Sequence, residues 1–370
     1  MKKKTPIKVS AIIIGFAISV ILAILFIASA YGGMADPANG TKFALIGMCF
    51  PLGLAATILL LATLLILRMW RMALIPIISI IISAGPVLTF FPLNISDSGE
   101  LTDAEKSRSF TMLTFNVMNF EDFDNIDHER NRSVQYILDT DADIVCLQEG
   151  SANISFLENK KISSLLPELL QRYPYYTKGC NDMVLLSKYP FEDREEKVLE
   201  YSAKKVVGYD VHINGKTITI FNCHLQSIGL TMTDKELYKR LTDISDVEPH
   251  DIKDMRGNLL SKLSSAFRKR AEQAKQLRQF VDSAGTNVIV CGDFNDTPDS
   301  FSYRTAKGND LADAYTECAF GPTITYHANR FYFKIDHILY KGSFKAVDVE
   351  RGKINSSDHY PLLATFVWNE

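Results

Sequence analysis

The chain has 370 residues, 47% hydrophobic and 22% charged, with a formal net charge of −3. That length exceeds one small domain and leaves room for an apolar region plus a sizeable folded domain. Residues 1–95 hold seven Lys/Arg and one acid, Asp36. The remainder holds 33 basic and 42 acidic residues, a net −9, which argues against a tight, non-specific grip on nucleic acid.

Three apolar stretches come first, Val9 to Ala30, Phe43 to Leu67 and Met72 to Phe91. Each is near the roughly 20 residues that cross a bilayer as a helix. Pro51, Pro76 and Pro86 would kink a soluble helix and are tolerated among membrane helices. Residues 1–92 therefore read as an anchor of three transmembrane helices in the plasma (inner) membrane, with the lipid bilayer as a partner. Lys2, Lys3, Lys4 and Lys8 mark a cytoplasmic N-terminus, and Arg68 and Arg71 mark a second cytoplasmic loop. Everything after Phe91 then lies outside the cytoplasm. A rival reading takes the first stretch as a signal peptide cut near Ala28-Ser29-Ala30, although its apolar run is longer than usual. Residues 93–109 are polar, lack an apolar period and read as a linker.

From Phe110 to the C-terminus the pattern is that of a mixed domain. Strands are expected over Phe110–Val117, Asp143–Leu147, Met183–Leu186, Val206–Ile213, Thr217–Cys223, Asn287–Cys291, Ile335–Tyr340, Phe344–Val349 and Leu362–Val367. Asn214-Gly215 signals a two-residue hairpin. Helical spacing occupies Glu129–Leu138 and Leu260–Val281, and a charged stretch, Thr231 to Leu259, precedes the second. Hairpins and helices in this order suggest an α/β sandwich, two sheets face to face with helices outside. Cys146, Cys223 and Cys291 lie in apolar strand-like runs and read as core residues. Cys180 and Cys318 are available to pair in an oxidising compartment.

Polar residues recur where these strands end. Asn116, Glu149 and His224 follow apolar runs. So do Asp293 and Asn295, in Gly292-Asp293-Phe294-Asn295, and Asp336, while Asp358 and His359 precede the last strand. Strand ends on one sandwich edge converge on one cleft. Asn116, Glu149 and Asp358 form an all-oxygen set suited to a hard cation such as Mg²⁺ or Mn²⁺. His224 and His359 are able to exchange protons near neutral pH, and an acid such as Asp336 would orient His359. Taken singly, each has a plainer reading: a solvated edge for Glu149, a turn opener for Asn116, an N-cap for Asp293.

Six strings stand in order over this region: Thr114-Phe115-Asn116-Val117, Leu147-Gln148-Glu149, Asn222-Cys223-His224-Leu225, Gly292-Asp293-Phe294-Asn295, Lys334-Ile335-Asp336 and Ser357-Asp358-His359. Together they resemble the endonuclease/exonuclease/phosphatase superfamily, the DNase I-like fold, over Phe110 to Val367. The resemblance implies a four-layered α/β sandwich and Mg²⁺-dependent hydrolysis of a phosphoester. It implies that Asn116, Glu149 and Asp358 hold the metal and that Asp293 and Asn295 position the attacking water and contact phosphate. It further implies that His359, paired with Asp336, acts as base or phosphate contact, and that His224 stabilises the developing charge or protonates the leaving group. The division of acid and base duties among Asp293, His224 and His359 stays open.

The His224 string is similar to the DNase I, sphingomyelinase and inositol-polyphosphate phosphatase branches rather than to abasic-site endonucleases. Lys334 departs from the Arg of many members, which puts a bidentate contact there in doubt. Expected substrates are a lipid headgroup or a small organic phosphate. A surface nuclease and a catalytically dead binding module are the alternatives, and no protein partner is inferable.

Overall fold

The computed structural model describes residues 6–95, 101–123, 125, 130–150, 162–177, 182–194, 197–198, 205–229, 231, 234, 249–328 and 331–370. Most of the charged stretch before Leu260, and Cys180 of the candidate disulfide, lie outside these residues.

The N-terminal region forms α1 (Pro6–Tyr31), α2 (Lys42–Gly47), α3 (Phe50–Ile66), α4 (Trp70–Ile82) and α5 (Ala84–Phe90). This corrects the expected three transmembrane helices. Among the described residues one helix is long and apolar enough to cross a bilayer, over Ile12–Met34. The second stretch breaks at Met48-Cys49, and its long part, α3, has 17 residues with Pro51 in its first turn. The third bends by 71° between α4 and α5. Pro86 has no N–H for the helical ladder, and its ring would clash with the carbonyl four residues back, at Ile82, where α4 ends. Phe26 of α1 stacks on Phe50 of α3 with ring centroids 5.8 Å apart. The outer faces stay apolar: Leu52 is 74% exposed and Ile66 80%.

The segment after α5 begins against the catalytic domain. Leu93 bridges Phe320, and the Asn94 amide donates to the carbonyls of Thr316 and Ala319. Farther on, α6 (Asp103–Lys106) is closed by a capping box between Thr102 and Glu105.

Next come β1 (Ser109–Asn116), α7 (Arg132–Thr140), β2 (Ile144–Gln148), α8 (Leu166–Arg172), β3 (Tyr175–Tyr176), β4 (Val184–Ser187), β5 (Phe191–Asp193) and β6 (Lys197–Val198). The order continues with β7 (Lys205–Ile213), β8 (Lys216–His224), α9 (Pro249–Ser283), β9 (Val288–Asp293), α10 (Phe301–Lys307), β10 (Ala312–Asp313) and α11 (Ala314–Cys318). Three strands close the chain: β11 (Asp336–Lys341), β12 (Phe344–Arg351) and β13 (Leu362–Trp368). One sheet runs β12-β13-β1-β2-β4-β3. The other runs β10-β11-β9-β8-β7-β5, with β6 also on β7. The hairpin at Asn214-Gly215 is present, with φ of 51° and 78°.

Strand alternation builds the layers. In β1, Phe110 and Met112 face the opposite sheet, where they meet Ile289 and Cys291 of β9. Leu113 and Phe115 face outward onto Val134, Ile137 and Leu138 of α7 and Leu169 of α8. On the other side, Val288 and Val290 of β9 pack on Leu277 and Val281 of α9 and Ala306 of α10. The result is helix, sheet, sheet, helix. Phe110, stacked 5.2 Å from Phe366, lies in the central layer, where loss of such a ring costs about 3–5 kcal/mol.

The register sets up the site. His224 of β8 lies opposite Asp293 of the parallel β9, and Asp336 of β11 lies opposite Asp293 across the antiparallel pair. Three candidate residues thus stand at one level on adjacent strands.

Candidate active site at the sandwich edge

Each candidate side chain is aimed by a local device. Gly292 has φ +122°, and a β-carbon there would collide with the Cys223 backbone, so only glycine lets β9 approach β8 just before Asp293. Glu149, one residue past β2, holds φ +54°, a left-handed turn for a non-glycine. Such a residue costs on the order of 1–3 kcal/mol and is sustained where the surroundings fix it. Asn295 also sits at φ +53°, and its N–H donates to Asp293 Oδ1 at 2.8 Å. The Ser357 hydroxyl donates to the Asn116 carbonyl at 2.7 Å, tying the Ser357-Asp358-His359 string to the end of β1.

Asp293 Oδ2 is the hub. Asn116 Nδ2 and Asn295 Nδ2 both donate to it at 3.1 Å. His224 Nε2 and His359 Nε2 each stand 3.7 Å from it. His224 Nε2 is also 3.5 Å from Glu149 Oε1, and its Nδ1 lies 3.8 Å from Asp182. On the far side of His359, Nδ1 meets Asp336 Oδ2 at 2.8 Å. Burial alone would lower the His359 imidazole. The charges of Asp336, Asp293 and Asp358 and the hydrogen bond to Asp336 outweigh it and lift the pKa from 6.5 to about 10. Tyr326 packs on the His359 ring, centroids 5.0 Å apart.

All eight residues singled out in the sequence fall at this edge. Glu149, His224, Asp293, Asn295, Asp358 and His359 line one cleft of about 370 Å³. Asn116 reaches it through Asp293, and Asp336 stands behind His359. Lys334 is turned away. Its Nζ pairs with Asp313 at 3.1 Å, both buried, and Asp313 also accepts from Tyr303 at 2.7 Å. Lys334 is here a structural cation.

Three cleft-side residues escaped the sequence reading. Arg270 of α9 is buried in the cleft wall, paired with Asp296 at 3.0 Å and donating to the Gln226 carbonyl at 2.9 Å. An Arg on the inner face of an amphipathic helix was the available signal. Asp182, directly before the apolar run of β4, is another strand-end acid. Tyr326 stands in a loop and carries no local signal.

The donor chemistry fits a hard divalent cation. Glu149 and Asp358 present carboxylates to the cleft. The Asn116 amide nitrogen faces Glu149 Oε1 at 3.5 Å, and its oxygen accepts from the Met118 N–H at 3.1 Å with a second lone pair left for a cation. Among the described residues, Asp293, Asp336 and His359 have ligand atoms within 4.8 Å of one another. Within that trio His359 and Asp336 are already engaged as a close pair, which leaves the Asn116, Glu149 and Asp358 set as the better match to Mg²⁺ or Mn²⁺.

Paired sheets with acids and histidines meeting at one edge define an α/β-sandwich hydrolase architecture. The Endonuclease/Exonuclease/phosphatase family matches residues 113–359, more than half of the chain, and the chain belongs to that family, whose members are phosphoesterases. A domain of unknown function (DUF8431) matches residues 10–90. No curated protein matched. Solved structures similar to this chain include an endonuclease/exonuclease/phosphatase from Bacteroides vulgatus, 19% identical over 70% of this chain and 99% of that one, TM-score 0.47. Truncated Caenorhabditis elegans TDP2 is 16% identical over 72% and 100%, TM-score 0.45. ANGEL2, described as a 2′,3′-cyclic phosphatase, is 15% identical over 71% and 96%, TM-score 0.45.

Proposed function

We propose that the chain is a membrane-attached, divalent-metal-dependent phosphoester hydrolase whose catalytic domain lies outside the cytoplasm. The observation that carries the chemistry is Asp293 Oδ2, buried between two histidine Nε2 atoms at 3.7 Å and flanked by Asn116 and Asn295. Asn116, Glu149 and Asp358 would hold Mg²⁺ or Mn²⁺, which when bound supplies charge that polarises the phosphoryl group. Asp293 accepts the proton of the attacking water. Asn295 fixes the Asp293 carboxylate, its Nδ2 hydrogens going to Asp293 and to the Leu225 carbonyl. His359, with Nδ1 committed to Asp336, directs Nε2 towards the phosphoryl oxygens. His224 delivers a proton to the departing oxygen. In balance, one water O–P bond forms, one ester P–O bond breaks and the leaving oxygen gains a hydrogen.

Location rests on α1. Its C-terminal end meets the catalytic domain: Arg304 donates to the Ala30 carbonyl at 3.3 Å, and Lys275 pairs with Asp36 at 2.8 Å. The Lys-rich start lies at the other end of the helix, so a single span with that start in the cytoplasm leaves the domain outside. Ala30 is wholly buried, and Phe26 stacks on α3, which supports retention of α1 rather than its removal as a signal peptide.

The test is hydrolysis of bis(4-nitrophenyl) phosphate by the full-length protein in detergent. Turnover should vanish in EDTA and return with Mg²⁺ or Mn²⁺. Undiminished turnover in chelator would remove the metal from this reading.

A further inference from the structure

Resting on the hydrolase reading above, we infer that the cleft is built for a membrane phospholipid, with the headgroup phosphate at Asp293 and an acyl chain along an apolar wall that leads to the anchor. The cleft is continuous from His224, Asp293 and His359 to Met48, in the turn between α2 and α3. Between these ends it is walled by Ile228, Leu263, Phe267, Phe331 and Phe333. Leu263 and Phe267 are buried in α9, while Ile228, Met48, Phe331 and Phe333 are left partly open to the cleft. Phe331 and Phe333 stack at 6.3 Å, so their partly exposed rings adjoin in the wall.

Leaving that much apolar surface uncovered beside a phosphate site is unfavourable in water, and an occupant with a hydrocarbon chain removes the penalty. A free organic phosphate covers none of it. Nucleic acid would bring a dense negative charge, yet among the described residues that line the cleft Arg270 is the one Lys or Arg, and it is already paired with Asp296.

The placement of the mouth points the same way. Met48 stands where the chain enters α3, and the neighbouring α2 turns Phe43 outward, 56% exposed. On the catalytic domain Phe320, 62% exposed, packs edge-on against Phe91 of the anchor at 6.0 Å. Exposed apolar side chains thus lie on both the anchor and the catalytic domain close to where the two meet. The anchor loop is locked there by the Asp36–Lys275 pair and by a 2.9 Å hydrogen bond from Thr41 to Ser264 of α9. A lipid reaches the catalytic end by sliding along the wall without leaving the membrane surface.

The experiment uses the full chain with Mg²⁺ in dioleoyl vesicles of phosphatidylglycerol, phosphatidylethanolamine or phosphatidic acid. The same headgroup phosphates without acyl chains, bis(4-nitrophenyl) phosphate and a single-stranded oligonucleotide serve as comparisons. One lipid should be hydrolysed with kcat/KM at least about tenfold above its chain-free counterpart. The substitutions Phe331→Ser and Phe333→Ser, on partly exposed positions outside the core, should lower that ratio about tenfold, the scale of losing an apolar contact to substrate. Equal turnover with and without chains, preference for the oligonucleotide, or a ratio unmoved by both substitutions overturns the lipid assignment while leaving the hydrolase intact. Failure to cleave even bis(4-nitrophenyl) phosphate overturns both.

Discussion

Gln148 donates through Nε2 to Asn222 Oδ1 at 2.7 Å, joining the last residue of β2 in one sheet to β8 in the other. Asn222 returns a 3.0 Å hydrogen bond to the Leu147 carbonyl. This polar clamp is buried two residues from His224 and next to Glu149, so it fixes the spacing between two cleft residues that belong to different sheets. Asn222→Ala removes the nearest acceptor of the Gln148 amide and the donor to the Leu147 carbonyl. The expected cost is about 1–3 kcal/mol, read from urea unfolding, with a larger proportional loss of activity than of stability.

Asp336 works through His359, with which it forms the 2.8 Å pair. Asp336→Asn keeps the shape but removes the carboxylate that holds the ring by its Nδ1 hydrogen and helps to keep it protonated. We expect kcat to fall about 10²–10³-fold, the range for losing one donor to charge that develops in the transition state, with KM little changed. An NMR titration should show the His359 pKa well below that of the wild-type protein, in which the charges of Asp336, Asp293 and Asp358 raise it. An unchanged His359 titration would show that Asp336 does not orient the ring.

His337 gives the pH dependence of stability. It is fully buried, with its ring against Phe294 at 5.1 Å and Tyr303 at 4.7 Å. Burial first, then the positive charge of Lys334, lower its pKa from 6.5 to about 3. Unfolded chains take up a proton as pH falls through 6.5, whereas the folded chain resists until about 3. Its contribution is therefore constant above pH 6.5 and is lost on acidification through that window, by up to about 1.4 kcal/mol per pH unit. Stability measured from pH 7 to 4 should decline less steeply in His337→Gln than in the wild type.

Topology has a direct readout. An alkaline phosphatase fused after Glu370 should be active in cells, and a reporter that works only in the cytoplasm should be silent there. The reverse pattern would contradict the orientation drawn from the N-terminal lysines.

Much of the fold was legible because strand alternation and strand-end polarity are local signals. The apolar runs before Glu149 and Asp293 predicted both the strands and the placement of an acid at each end. Asn214-Gly215 predicted its hairpin for the same reason. The bend between α4 and α5 was not legible, since Pro76 and Pro86 both lie in an apolar stretch and only Pro86 lies at the break. Arg270 and Lys334 look alike as cations in sequence. Their acidic partners, Asp296 and Asp313, are 26 and 21 residues away, so tertiary packing alone shows that each is neutralised. The interlocking of residues 30–41 with α9 and α10 has no counterpart in any periodicity.

That interlocking has a practical consequence. A side chain at Gly33 would strike the Asp299 carbonyl, and Met48 supplies part of the cleft itself. A recombinant head severed from its N-terminal quarter would present a shortened groove with one flank stripped bare, and rates recorded on it would describe an incomplete enzyme.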